Sequence, residues 1–274
     1  VRLGDVGELG LLAELERRGL VLRIENDAAE LADGRVVTQD ALVEGVHFRL
    51  DRISWRELGF RAAAVNLSDL AASGAEPEGL VVTLAAQAGT AVADVFELYE
   101  GFAEAEVPVI GGDTSAADQL MLSVTAIGRS RRVPGRAGAK PGDVLVVTGP
   151  LGAAGAAFRD GRYVRPPLRL EEGRALASVA HAMLDVSDGL VHDAGHIARR
   201  SGCRLIIELE RVPLAEGAEL ADLGFGEDYE LLAAVADAAD FAAIGRCAEG
   251  EGVELLLHGE PFELGGFEHF ASSV

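Results

Sequence analysis

The sequence predicts two mixed units of α and β structure, on three observations. Short β-branched runs alternate with helically spaced apolar stretches along the chain. Several of those runs lead into acidic residues. A turn-rich, basic segment, Ser-Arg-Arg-Val-Pro-Gly-Arg-Ala-Gly-Ala-Lys-Pro-Gly from Ser130 to Gly142, then interrupts the pattern near mid-chain. The first unit is expected over residues 1–131 and the second over 132–274, and with 49% apolar residues both can fill a core.

Taken in order, Leu9, Leu12, Ala13 and Leu15 keep a helical period that ends at Gly19, predicting an opening helix. Val21-Leu22-Arg23-Ile24 and Arg35-Val36-Val37-Thr38 read as strands, which places the acids that follow them at strand ends. From Trp55 to Ser73 a helix is expected, with Leu58, Ala62, Val65, Leu70 and Ala71 on its apolar face and Asn66-Leu67-Ser68-Asp69 cutting into that face. Gly79 to Ala85 and Leu120 to Ile127 are predicted strands flanking a helix near Ala93 to Ala105. In the second unit the strand Val144 to Val147 leads to a Gly/Ala-rich helix and a basic stretch from Arg162 to Arg174. A helix reaching about Met183 and another after Gly189 follow.

Charge narrows the function. Lys and Arg total 24 against 45 Asp and Glu, a formal charge of −21, which argues against a groove for nucleic acid and against acidic membranes. A protein this negative that handles nucleotides must neutralise their phosphates, and divalent metal held by its own carboxylates would do so. Cys203 and Cys247 have no ligand spacing and read as buried thiols in a reducing compartment. No stretch approaches eighteen uninterrupted apolar residues and no leader pattern opens the chain, so a cytoplasmic location is expected.

Five motifs carry the chemistry. Thr38-Gln39-Asp40-Ala41-Leu42-Val43-Glu44-Gly45-Val46-His47-Phe48 can set a cation beside a polar substrate. Asp27 and Asp69 add carboxylates able to converge on the same space. In Val109-Ile110-Gly111-Gly112-Asp113-Thr114-Ser115, paired glycines let backbone N–H groups approach phosphate and Asp113 could hold its metal, although an ordinary turn would look the same. Leu184-Asp185-Val186-Ser187-Asp188-Gly189-Leu190 puts two acids and a hydroxyl at a helix start, either as metal ligands or as a cap. His192, Asp193 and His196, farther along that helix, read as solvated or structural. The last motif, Gly224-Phe225-Gly226-Glu227-Asp228-Tyr229-Glu230-Leu231-Leu232, is acid-rich yet runs into an apolar strand. Nothing reads as a Walker loop.

In this order the motifs resemble those of the thiamine-monophosphate kinase family, as does the opening Gly7-Glu8-Leu9-Gly10-Leu11. The resemblance implies the two-domain aminoimidazole ribonucleotide synthetase-like fold (α+β / α/β), in which an N-terminal mixed-sheet domain forms a homodimer and the C-terminal domain is α/β. It also implies transfer of the γ-phosphoryl group of ATP to thiamine monophosphate with several Mg²⁺ ions. On matching positions the metal ligands are Asp27, Thr38, Asp40, Asp69, Asp113, Asp185 and Asp188, with Asp40 and Asp188 central to catalysis. Tyr99, Gly112, Asp113, Arg136 and Ser187 fall at ATP, and His47, Glu227 and Phe267 at the thiamine part. Members of the family carry Gly-Asp-Asp where this chain has Glu25-Asn26-Asp27. Two alternatives stand beside this reading: a related ATP-using synthetase of the same fold, closing an imidazole ring or maturing a hydrogenase, and a non-catalytic module that binds Mg²⁺ and nucleotide.

Overall fold

The computed structural model describes residues 1–21 and 26–264. Helix α1 (Leu3–Arg17) starts earlier than the apolar period suggested, because Gly7 at φ 66° joins two helical pieces across a kink. Strand β1 (Ala29–Glu30) is only two residues long, and β2 (Arg35–Val43) is nine, more than twice the β-branched run that predicted it. Asp40 therefore lies inside a strand and not at its end. The strand predicted over Val21–Ile24 falls mostly outside the described residues.

Helix α2 (Trp55–Ala72) is capped by Ser54, whose hydroxyl accepts the Glu57 N–H at 3.2 Å. It is buried almost all round, between the first sheet, α3 (Val92–Ala103) and the second unit. Its contact with α3 is backbone to backbone: a Cβ on Gly59 would lie 1.9 Å from the Leu98 carbonyl oxygen, and one on Gly101 would lie 1.9 Å from that of Arg56. Only glycine allows that approach.

The first sheet runs β1-β2-β5-β3-β4, with β3 (Glu76–Ala86), β4 (Val109–Ala116) and β5 (Met121–Arg129). β3 and β4 are parallel and joined by α3, and the other neighbours are antiparallel. The glycine pair Gly111-Gly112, expected either to approach phosphate or to form an ordinary turn, lies in the edge strand β4, which is exposed along nearly its whole length.

The second sheet runs β12-β11-β8-β10-β6-β9-β7. Its strands are β6 (Val144–Val147), β7 (Ala182–Asp185), β8 (Arg204–Glu208), β9 (Leu231–Val235), β10 (Ala242–Ala248), β11 (Gly252–Leu257) and β12 (Glu260–Phe262). Helices α4 (Ala153–Arg159), α5 (Leu170–Ala177) and α6 (Leu190–Ser201) complete it. Met183, expected in a helix, is in β7. Each sheet has its own apolar core. A third core joins the units, packing Ala71 and Ala72 of α2 on Val146, Leu176, Met183 and Leu231. This contact leaves a cleft between β2, α2 and the loops that follow β7 and precede β9. No described helix is long and apolar enough to cross a membrane.

Candidate active site

The polar interruption of α2 addresses three neighbours at once. Asn66 accepts the Asp40 backbone N–H at 3.0 Å and donates to the Ala62 carbonyl at 3.0 Å, which fixes β2 where Asp40 leaves it. Ser68 donates to Asp185 Oδ2 at 2.6 Å, tying α2 to the end of β7 in the other unit. Asp69 accepts the Thr38 hydroxyl, whose oxygen also lies 3.2 Å from the Asp27 carbonyl. Asp27 takes Arg136 through one oxygen, at 3.0 Å from Nε and 2.5 Å from Nη2.

Carboxylates thus arrive from β2, α2, the segment before β1 and the end of β7. Asp27, Asp69 and Asp185 each offer an oxygen within 4.8 Å of the others. Asp40, Asp69, Asp185 and Asp188 line one cavity of about 410 Å³, together with Ser187, His47 and Glu227. Burial, and then the charges on Asp27 and other neighbouring acids, holds Asp185 well above the usual carboxylate range, and burial followed by Asp185, Asp40 and Asp27 does the same to Asp69. Asp40 is pushed up to about 6 by burial and then by Asp188 and Asp27. Asp27 is raised by burial even with Arg136 opposing. The cluster is short of positive charge, and hard oxygen donors in this number suit a divalent cation such as Mg²⁺.

Beside this cluster lies a cavity of about 290 Å³ walled by Phe48, Phe158, Phe225, Tyr163 and Tyr229. His47, Arg61 and Glu227 bring polar groups to it. His47 Nδ1 accepts the Val43 N–H at 3.0 Å, which leaves the proton of the neutral ring on Nε2. Arg61, buried on α2, donates to Glu227 Oε1 at 2.5 Å. Glu227 and Tyr229 sit at φ 59° and 52°, left-handed conformations that cost energy in residues other than glycine. Their loop is held by Glu227 N–H to the Ser187 carbonyl at 2.7 Å and Tyr229 N–H to that of Val186 at 2.9 Å. The Ser187-Asp188 loop and the Glu227 loop are therefore one structure.

Two profiles match the chain: AIR synthase related protein, N-terminal domain, over residues 21–130, and AIR synthase related protein, C-terminal domain, over residues 140–257. The thiamine-monophosphate kinase of Aquifex aeolicus is 32% identical, with 98% of this chain and 100% of that protein covered. The chain belongs to the thiamine-monophosphate kinase family. The Escherichia coli K12 member is 34% identical over 86% of each chain. The solved structure of AaThiL complexed with AMPPCP and TMP superposes with a TM-score of 0.89 at 31% identity, covering 98% of this chain and 99% of that one. A HypE–HypF complex matches at 20% identity and a TM-score of 0.76, a likeness of fold alone.

Within this member of the thiamine-monophosphate kinase family, Asp27, Thr38, Asp40, Asp69, Asp185, Asp188, Ser187 and Arg136 come together as the motifs suggested, with His47 and Glu227 at the neighbouring cavity. Asp113 and Gly112 do not join them within this chain. Thr83 pairs with both Asp113 and Ser123, and Ser123 pairs with Ala41, so Asp113 lies three strands from β2, roughly 14 Å at about 4.8 Å per strand. Tyr99 is on α3 with its ring 5.7 Å from that of Phe102, and it lines neither cavity. Phe267 lies outside the described residues. Arg61, Asn66, Ser68 and Tyr229 were missed as site residues. Only the polar break in α2 could have signalled Asn66 and Ser68. At the altered Glu25-Asn26-Asp27 site, Asn26 Oδ1 accepts the Arg136 backbone N–H at 3.1 Å, so the amide anchors the segment that carries Arg136.

Proposed function

We propose that this chain is an Mg²⁺-dependent thiamine-monophosphate kinase, transferring the γ-phosphoryl group of ATP in line to the phosphate of thiamine monophosphate and releasing thiamine diphosphate and ADP. The observation that carries the reading is the cluster of convergent aspartates opening directly onto an aromatic cavity, in a chain aligned end to end with a relative complexed with AMPPCP and TMP. The acceptor oxygen belongs to a phosphate already ionised near neutral pH, so no strong general base is required. What must be overcome is the repulsion of two polyanions.

Asp27, Asp40, Asp69, Asp185 and Asp188, with Thr38, would hold several Mg²⁺ ions, which supply the countercharge both reactants need. Ser68 and Asn66 keep those carboxylates aimed into the cleft. Arg136 fixes Asp27 and offers its remaining N–H groups to phosphate. Ser187 serves the nucleotide beside Asp188. The aromatic cavity takes the ring system of the substrate, with His47 and Glu227 as its polar contacts. Glu227, steadied by Arg61, sets a negative charge near the cationic thiazolium ring.

Gly112, Asp113 and the free edge of β4 fit a homodimer, since a second copy covering that edge would remove an exposed strand and give Asp113 a role. Residues 1–131 and 132–274 serve as the two domains. The two free cysteines, both buried, accord with a cytoplasmic setting. A coupled ADP-release assay comparing thiamine monophosphate with free thiamine tests the reading. Turnover of the monophosphate alone is expected, and Mg²⁺-ATP binding by calorimetry without any thiamine diphosphate formed would overturn it in favour of a non-catalytic module.

A further inference from the structure

The first two turns of α6 carry donor groups that the acidic cluster and the aromatic cavity leave partly unused. His192 and His196 are four residues apart and share a helix face, their rings meeting edge to face at 5.1 Å. Asp193 is buried with one oxygen committed, since Oδ2 accepts the Asp188 N–H at 2.9 Å. Its other oxygen lies 3.6 Å from His192 Nδ1, which in turn lies 3.7 Å from Asp188 Oδ2. That Nδ1 is buried and has no hydrogen-bond partner. One ligand atom from each of His192, Asp193 and His196 falls within 4.8 Å of the others.

Separations of 3.6 and 3.7 Å are too long for hydrogen bonds. They are close to the roughly 3.4 Å spanned by two ligands that each stand about 2.0–2.1 Å from a tetrahedral ion. A cation between the donors would satisfy His192 Nδ1 in place of the proton that Asp193 and then Asp188 favour there by raising the His192 pKa, so the metal must displace a proton. We propose that His192, Asp193 and His196, with Asp188 as an available fourth donor, form a second cation site that takes a borderline divalent metal of the zinc class.

Donor type separates it from the neighbouring centre, because two imidazoles favour zinc-class ions while an all-oxygen set favours Mg²⁺. Burial, and then Arg136 and Arg199, push the His196 pKa down to about 3, so its ring is neutral and able to ligate. Three arginines stand nearby. Arg136 is committed to Asp27, and Arg200 lies 3.7 Å from Glu16. Arg199 Nη2, 3.3 Å from His196 Nδ1, is the direct competitor and must swing aside. Because Asp188 borders both centres, zinc here would draw on a carboxylate of the transfer site and slow the reaction. That consequence rests on the proposed function, whereas the binding itself does not.

The test keeps the full chain in millimolar MgCl₂, so that the all-carboxylate centre is filled, and titrates ZnCl₂ by equilibrium dialysis with metal analysis. Wild type is expected to bind one more zinc per chain than His192→Ala/His196→Ala, and Arg199→Ala to bind it roughly threefold more tightly. CoCl₂ added to wild type should give the visible absorption of a low-coordinate, nitrogen-bearing site. Equal zinc counts in wild type and a folded double variant overturn the proposal. Should circular dichroism find the double variant unfolded, the wild-type cobalt spectrum decides, and a purely octahedral spectrum overturns it equally.

Discussion

Replacing Asp40 by asparagine should stabilise the metal-free fold while disabling the reaction, two effects of opposite sign from one charge. Burial and then Asp188 and Asp27 raise the pKa of this carboxyl from 3.8 to about 6. A folded-state value above the unfolded one means that the folded chain holds the proton more tightly. The stability penalty is therefore absent below about pH 4, grows as pH rises, and is complete above about pH 6. Two pH units correspond to about 3 kcal/mol. Asp40 is only partly buried by its solvent-accessible surface, so screening reduces the effect to about 1–2 kcal/mol. Asparagine keeps the shape and carries no charge to penalise. Urea unfolding in EDTA at about pH 7.5 should find Asp40→Asn more stable by that amount, with the gap closing near pH 4. In saturating Mg²⁺ the order should narrow or reverse, since wild type gains more from binding. A variant less stable than wild type at neutral pH in EDTA would refute the electrostatic account of the cluster.

Asp188→Asn should lower turnover at least tenfold, about 1.4 kcal/mol of barrier, and wild-type rates at limiting Mg²⁺ would remove Asp188 from the ligand set. Arg61→Gln leaves Glu227 without its buried partner, so KM for thiamine monophosphate should rise roughly tenfold with KM for ATP unchanged, and Arg61→Lys should recover most of the loss. Equal changes in both KM values would mark Arg61 as a general structural residue. If Asp113 serves the partner's cleft, inactive Asp40→Asn and Asp113→Asn chains, refolded together in equal amounts, should recover about a quarter of wild-type activity, because half the dimers are mixed and each mixed dimer has one intact site. Recovery of nothing would place Asp113 outside any shared site.

Strong local patterns were the legible part. Val144 to Val147 is a strand with the predicted ends, and Trp55 to Ala72 is a helix within a residue of prediction, because both are apolar runs whose period matches their burial. Gly111-Gly112 gave no sign of its place in an edge strand, because β4 is exposed and pairing with β3, not side-chain burial, holds its backbone extended. Met183 was placed in a helix because Ala182-Met183-Leu184 is too short and too uniformly apolar to display a period. At the site, the acids were readable as motifs but their supports were not. Arg61 stands in a helix whose pattern says only that the position is polar, and its partner, Glu227, lies 166 positions away.

Three positions within four residues of α2 carry separate addresses: Asn66 for the Asp40 backbone and Asp69 for the Thr38 hydroxyl, both on β2, and Ser68 for Asp185 at the end of β7. A deletion of one residue upstream in this helix would turn all three by about 100° and slide them about 1.5 Å, breaking every address together. The same helix ends in Ala71 and Ala72, which complete the core shared by both units. Cutting the chain near residue 131 would therefore yield not two half-enzymes but two sticky fragments, each lacking the wall on which the other's acids are hung.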